Sequence, residues 1–361
     1  MKYFLIFSLL LLSFFSCKTS QNTSEIHLKK DTNNLAILDS IIHIVKENSL
    51  YTDTVDWNIV RKEILDMYTD NDSLSSLQKP IEYMFTTLGD FHGFAVVNGQ
   101  QYRGTVERER TVSYDYKEED YLTKMSEIYQ KTSTSNEISS TVLNNSIAYI
   151  QIPMIINNYG NDSLNIAYTV KIRNKICELS KKHPKGYIID LRANIGGTMW
   201  PMFSGLGVLF PNMKLGGDTK GGKTLHSKWS LIDGNMHIDE YSIPNMPSLN
   251  CTIDIEHKKI AVLIGRYTLS SGEAVASGLK GQNNIQLFGE TTFGASTTNS
   301  WFSISQNVSI NPAIAYYTSL DNTVHKDGIT PDVEIVEDFD FENLTHGKVI
   351  DAAIQWINTP R

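Results

Sequence analysis

Three apolar runs from residue 146 onward constrain the fold most. They are "SIAYIQIPMI" (146–155), "YIIDLRANIGG" (187–197) and "KIAVLIGR" (259–266). A strand with one wet face alternates apolar and polar residues, whereas these read as strands buried on both faces. Segments of helical period separate them. "DSLNIAYTVKIRNKICELSKKHPKG" predicts a helix with Asp162 or Ser163 as N-cap and Gly186 past its end. "MWPMFSGLGVLF" predicts a helix after the glycine pair, and a third follows Ser270-Ser271. "IQLFGE", "FSISQNVSI" and "AIAYYTS" read as further strands. Strands alternating with helices imply an α/β fold with a partly parallel sheet, whose sites lie at the carboxyl ends of the strands. No solenoid repeat interrupts this pattern.

The first part of the chain reads differently. "LAILDSIIHIVKENSLY" places Leu35, Leu38, Ile41, Ile42 and Val45 on one helical face, and "DWNIVRKEILDMY" does so with Ile59, Ile64 and Met67. "SLSSLQKPIEYMFTTLGD" predicts a third helix ending near Gly89. Residues 34–93 are therefore expected to form a helical bundle. Residues 94–145, with "VVNGQQYRG", charged stretches and "KTSTSNEISST", are expected to form a hairpin or two and an exposed loop, acting as a cap or linker. The core is expected over 146–340 and a C-terminal helix over 341–361.

Lys2 followed by an apolar run from Tyr3 to Phe15 is too short for a span of about 20 apolar residues and has the charged start of an export signal. Ser16-Cys17 at its end resembles a bacterial lipobox. Cleavage before Cys17 and lipidation of its thiol would hold the protein at the cell envelope, outside the cytoplasm and in the periplasm where there is one. Residues 18–33 would be the tether. Of the three cysteines, Cys177 and Cys251 then remain, and the sequence leaves their pairing open. A net charge of -8 argues against a nucleic-acid partner. No Cys/His cluster has zinc-ligand spacing, so neither metal nor cofactor is expected.

Three stretches could carry chemistry. Ser270-Ser271 lies where a strand hands over to a helix, a place that exposes a hydroxyl beside the positive end of the helix. The plainer reading is an N-cap. "DLRANIGGTMWPM" (190–202) brings Gly196-Gly197 to the end of a strand, where backbone N–H groups could stabilise an oxyanion or the glycines could simply make a tight turn. Asp190 and Arg192 read as a structural ion pair. "LGDFHGFAVV" sets His92 in a turn after a helix, where it could be an exposed base or a cap. Met199, Trp200 and Met202 could line a substrate pocket or be ordinary core.

Together these stretches resemble the tail-specific, or C-terminal-processing, serine peptidases. The residues that carry the resemblance run from Asp190 to Gly197, from Ser270 to Glu273, from Gly289 to Gly294 and from Asp327 to Asp332. The resemblance implies a crotonase/ClpP-like superhelical core with an N-terminal helical bundle and a small cap, and Ser270 as nucleophile. One position departs from the pattern: the better-known branch has a base lysine where this chain has Ala295. Lys280 cannot replace it, since ten residues along a helix is about 15 Å. The lysine-lacking branch, which resembles the nisin-resistance protein, takes its base from a histidine in an L-G-D-x-H setting. That setting is Leu88 to His92 here, and the same branch carries the pattern of Asn194 to Met202.

The resemblance thus implies a Ser270–His92 dyad acting on a peptide carbonyl. Backbone N–H groups at Gly196 or Gly197 and at Ser271 would form the oxyanion hole. Asp327 is the first candidate to orient His92 and Asp90 the second, while Glu273 would shape the nucleophile turn. The implied partner is a peptide or protein cut near its C-terminus. Two other readings stay open: a non-catalytic peptide-binding envelope lipoprotein, suggested by Ala295, and an esterase or amidase using the same dyad.

Overall fold

The computed structural model describes residues 33–69, 73–106, 118–134, 137–156, 161–221, 224–249, 251, 253–337 and 340–360. The expected signal peptide, Cys17 and nearly all of the tether lie outside them. The chain divides into two units: Met1–Arg108 with Asn299–Ile314, and Glu109–Thr298 with Ala315–Arg361.

The first unit is built on α1 (Asn34–Asn48), α2 (Trp57–Met67) and α3 (Gln78–Leu88). Asn33 caps α1 by accepting the Ala36 N–H. Ile37, Leu38, Ile41, Ile42, Ile44 and Val45 are buried, a wider stripe than the sequence reading drew, and Leu35 lies outside it. The expected face of α2 is corrected in the same way. Val60 and Ile64 are buried, while Ile59 is 57% exposed and Met67 also faces water. Gly89, at φ +72, ends α3 in a left-handed cap, with its N–H donated to Thr86 and that of Asp90 to Phe85.

These helices cover a four-stranded sheet, which the expected boundaries did not provide for. Its strands are β1 (Phe94–Val97), β2 (Gln100–Tyr102), β13 (Phe302–Ser305) and β14 (Val308–Asn311), in the order β13-β14-β1-β2. β1 and β14 pair antiparallel, with Phe94 opposite Asn311. The hairpin at 302–311 therefore belongs with the N-terminal helices, and its Ile304, Val308 and Ile310 complete their core. Residues 94–102 likewise fall in this unit, not in a separate cap.

The second unit opens with α4 (Glu118–Thr134), a helix within the stretch expected to form hairpins and an exposed loop. Its other elements before the serine turn are β3 (Ser140–Leu143), β4 (Ile147–Gln151), α5 (Asp162–Ser180), β5 (Gly186–Asp190), α6 (Met199–Leu206), β6 (Met213–Thr219), β7 (Ser227–Ile232), β8 (Asn235–Ile238), β9 (Tyr241–Ser242) and β10 (Lys259–Ile264). Then come α7 (Ser271–Leu279), β11 (Ile285–Gly289), β12 (Thr297–Asn299), β15 (Ala313–Thr318), β16 (Val333–Glu334) and α8 (Lys348–Asn358). The apolar runs form the centre of a sheet ordered β16-β11-β10-β5-β4-β3. Every pairing from β4 to β16 is parallel, and β3 closes one edge antiparallel. A second sheet runs β12-β15-β6-β7-β8-β9.

α5, α6 and α7 pack on one face of the parallel sheet, in a core that includes Ile189, Val262, Phe203 and Val275. Leu215, Trp229 and Tyr317 of the second sheet join the same core. α8 covers the other face through Val349, Ile350 and Ala353. Asn161, not Asp162 or Ser163, caps α5. Cys177 on α5 is bonded to Cys251, with 6.0 Å between their Cα atoms.

Candidate active site

The carboxyl ends of β5 and β10 lie side by side, since Leu263 is paired with Asp190. The chain leaves β10 through a turn stitched to the exit of β5. Thr268 Oγ1 donates to the Leu191 carbonyl (2.8 Å), and the Leu269 N–H donates to that of Asn194 (3.0 Å). Ser270 follows at φ 52°, ψ -119°, one residue before α7. An ordinary N-cap residue has extended dihedrals. A non-glycine residue in this region is strained by roughly 1–3 kcal/mol and persists only where its surroundings enforce it. Ser270 closes a capping box with Glu273, but an ordinary cap needs no positive φ, so capping alone does not account for its dihedrals, which are those of a nucleophile on a sharp strand-to-helix turn.

Glu273 is what enforces the turn. Its side chain is fully buried, and one carboxylate oxygen accepts the Ser270 N–H at 2.9 Å. The other accepts Thr292 Oγ1 at 2.6 Å and the Gly294 N–H at 2.7 Å. One carboxylate thus ties the serine turn to the segment where the lysine-bearing pattern would continue. The next residue, Ala295, is buried. Lys280 is engaged at the other end of α7, with Asp332 (2.6 Å) and the Thr330 carbonyl (2.9 Å).

Gly196 and Gly197 lie against the serine. A Cβ on Gly196 would sit 2.9 Å from the Ser270 Cβ, so this approach needs glycine. The two glycines have φ +108° and +104°. Their N–H groups differ. That of Gly196 is donated to Asn194 Oδ1 (3.0 Å), which removes it from the expected oxyanion hole. Gly197 is exposed, and its carbonyl accepts the Ser271 hydroxyl at 2.8 Å. This bond holds the Gly197 turn against the start of α7, next to Ser270.

Asn194 organises the turn, a role the sequence reading did not assign. Besides accepting from Gly196 and Leu269, its Nδ2 donates to the Ile152 and Pro153 carbonyls and contacts the Met202 sulfur. Its place between DLR and the glycine pair was the available signal. Met202 is fully buried in the core, which selects core packing over the pocket position also considered for it. Met199 and Trp200 are partly exposed, with Trp200 edge-on to Tyr241.

Asp190 and Arg192 form the expected ion pair, both buried, with Nη2–Oδ2 2.7 Å. Tyr149 donates to Asp190, and Arg192 also reaches Glu337. Burial alone would lower Arg192, but the charge and hydrogen bonds of Asp190 hold its pKa above the usual value. Burial and the same carboxylate push Tyr149 up. Arg192 thus stays charged and Tyr149 neutral, and the cluster anchors the strand exit. Flanking the serine turn, Tyr121 of α4 stacks on Tyr267 at 5.0 Å and donates to the Arg266 carbonyl, packing with Ile195, Leu269 and Phe293.

His92 belongs to the first unit, partly exposed in the turn after α3. Asp90, expected as a possible partner of its ring, is fully buried and accepts backbone N–H groups. Asp327 is exposed before Gly328.

Comparison with known proteins gives the family. Residues 146–335, just over half of the chain, match Peptidase family S41, and the chain belongs to that family. It is 30% identical over 177 residues to the nisin-resistance protein of Lactococcus lactis subsp. lactis, a match spanning 48% of this chain and 53% of that one. It is 27% identical over 168 residues to the carboxy-terminal processing protease CtpA of Bacillus subtilis (strain 168), covering 45% of this chain and 31% of that one. The matches thus span about half or less of these relatives. The solved structure of a lipoprotein from Streptococcus agalactiae superposes with a TM-score of 0.65 at 21% identity, over 92% of this chain and 98% of that one. The architecture is the mixed α/β fold of S41 proteases, as the motifs implied.

Proposed function

We propose that this S41 peptidase is a serine endopeptidase of the tail-specific kind, working by acyl-enzyme chemistry. Ser270 attacks a peptide carbonyl. His92 takes its proton and returns it to the leaving amine. The N–H groups of Gly197 and Ser271 receive the oxyanion, helped by the N-terminus of α7. Met199 and Trp200 contribute to the substrate surface. The substrate is a peptide or protein cut near its C-terminus. Lipidation at Cys17 holds the enzyme outside the cytoplasm, and the Cys177–Cys251 bond accords with an oxidising compartment.

The observation that carries the proposal is Ser270 itself: a strained nucleophile turn clamped by Glu273 and pressed on a glycine. The non-catalytic reading leaves that strain without a use. Treatment with an aryl fluorophosphonate followed by peptide mapping tests it. A single adduct on Ser270, absent in Ser270→Ala, is the expected result. Adducts scattered over other serines, or none, would remove the basis for a serine mechanism.

A further inference from the structure

His92 is the base in the reading above, and this inference rests on that reading. Its turn is held in an unusual way. Asp90 is fully buried, and its contacts run to main-chain N–H groups. Oδ1 accepts from Gly93 (2.6 Å) and His92 (3.2 Å), and Oδ2 accepts from Ala313 (3.0 Å), where the chain leaves the β14 hairpin. Gly93 fits because it has no side chain: a Cβ there would lie 2.3 Å from Oδ2 and 2.5 Å from Phe85. On its other side the His92 carbonyl accepts Arg103 Nη1 (3.3 Å) and Asn299 Nδ2 (3.4 Å). Both peptide groups of His92 are therefore fixed, by residues drawn from both stretches of chain that make up the unit.

We infer that Asp90 is the positioning residue for His92, acting through the backbone of the turn and not as a ring partner. The left-handed cap at Gly89 already ends α3, so the helix does not need this carboxylate. Burying an ionised group is costly unless it is paired or hydrogen-bonded. Here it is spent on the N–H of His92, of the residue after it and of a distant strand. Burial pushes the Asp90 pKa up, and the three N–H groups and the Arg103 charge oppose that rise. A base supported this way keeps its register, and a shift of about 1 Å in such a group can cost about a hundredfold in rate. The signature is a spaced set, Asp90, His92 and Gly93, in which the glycine makes room for the carboxylate.

The test measures inactivation of the full chain by an aryl fluorophosphonate. In that step a Ser270 Oγ–P bond forms, the P–F bond breaks, fluoride leaves and the hydroxyl proton passes to His92. Asp90→Asn keeps an acceptor for His92 and Gly93 but turns a donor toward the Ala313 N–H. The expected result is a maximal inactivation rate at least tenfold lower, with probe affinity within twofold of wild type and cooperative melting retained. An unchanged rate, or a rate lost in step with probe affinity, overturns the inference. Should Asp90→Asn not fold, the double variant Arg103→Gln/Asn299→Ala, which frees the His92 carbonyl, decides it. A fall of threefold or more at unchanged affinity supports positioning, and a rate within twofold of wild type overturns it. His92→Ala runs alongside: if it inactivates like wild type, the base assignment fails, a result distinct from failure of Asp90 as its support.

Discussion

Opening the Cys177–Cys251 bond should weaken the second unit by a large and calculable amount. The bond closes a loop with a sequence separation of 74. The chain-entropy relation for such a loop gives about 15 cal/mol/K, or about 4 kcal/mol at 25 °C. Domains are stable by about 5–15 kcal/mol in total, so this is a large share. The fold should nonetheless survive at 25 °C. Leu249, Ile253 and Ile255 pack on the main core without help from the bond, and Arg173 donates to the Pro247 carbonyl at 2.7 Å. The assay is urea unfolding of oxidised and reduced protein, followed by tryptophan fluorescence with buried Trp229 as a reporter. Cys177→Ala/Cys251→Ala provides a second comparison. The expected result is a stability difference of about 4 kcal/mol between the two redox states. A difference below about 1 kcal/mol would refute the loop-entropy reasoning.

Other consequences concern single side chains. Burial, aided by the Lys280 charge, lowers the His325 pKa to about 4, against the pull of Asp321. The unfolded chain, with a histidine pKa of about 6.5, binds more protons across that window, so stability falls as pH drops from about 6.5 to about 4, by about 3 kcal/mol in all. His325→Gln should flatten that slope in pH-dependent thermal melts. Glu273→Gln places a donor against N–H and O–H donors and should cost about 2–4 kcal/mol, since hydrogen bonds to charged groups count for about 1.5–3 each. Fluorophosphonate labelling should fall with it even where the protein stays folded. Gly196→Ala puts a Cβ 2.9 Å from that of Ser270 at φ +108°, so labelling should fall at least tenfold while circular dichroism stays near wild type.

Much of the site was legible because its residues are consecutive. The runs through Asp190 and Ile264 read as buried strands since they are apolar on both faces, and their ends carry the glycine pair and the serine. The Asp190–Arg192 pair followed from local spacing, and the turn-shaping Glu273 from the resemblance. What escaped the reading depends on distance along the chain. Nothing in "FSISQNVSI" reveals that β14 pairs with β1, more than two hundred residues earlier, because strand register is settled by burial and not by propensity. α4 was missed because its polar and Ser/Thr-rich surroundings hide Tyr121, Met125 and Ile128, which are buried against Ala193 and Tyr267. The place of Met202 stayed open between pocket and core because helical spacing alone does not say which face is core. The roles of Asn194 and Asp90 rest on acceptors aimed at particular main-chain N–H groups, which spacing does not encode.

The most direct test of the account is cleavage of a pooled peptide library by the protein lacking residues 1–17, read by mass spectrometry. Wild type would be compared with Ser270→Ala and His92→Ala, each checked for folding. Wild type should cut near peptide C-termini, and both folded variants should lose at least a hundredfold in rate, in line with the about 10²–10⁴ that a general base contributes. Wild-type protein that binds peptides without cutting them, or a Ser270→Ala variant that cuts as well as wild type, would contradict it.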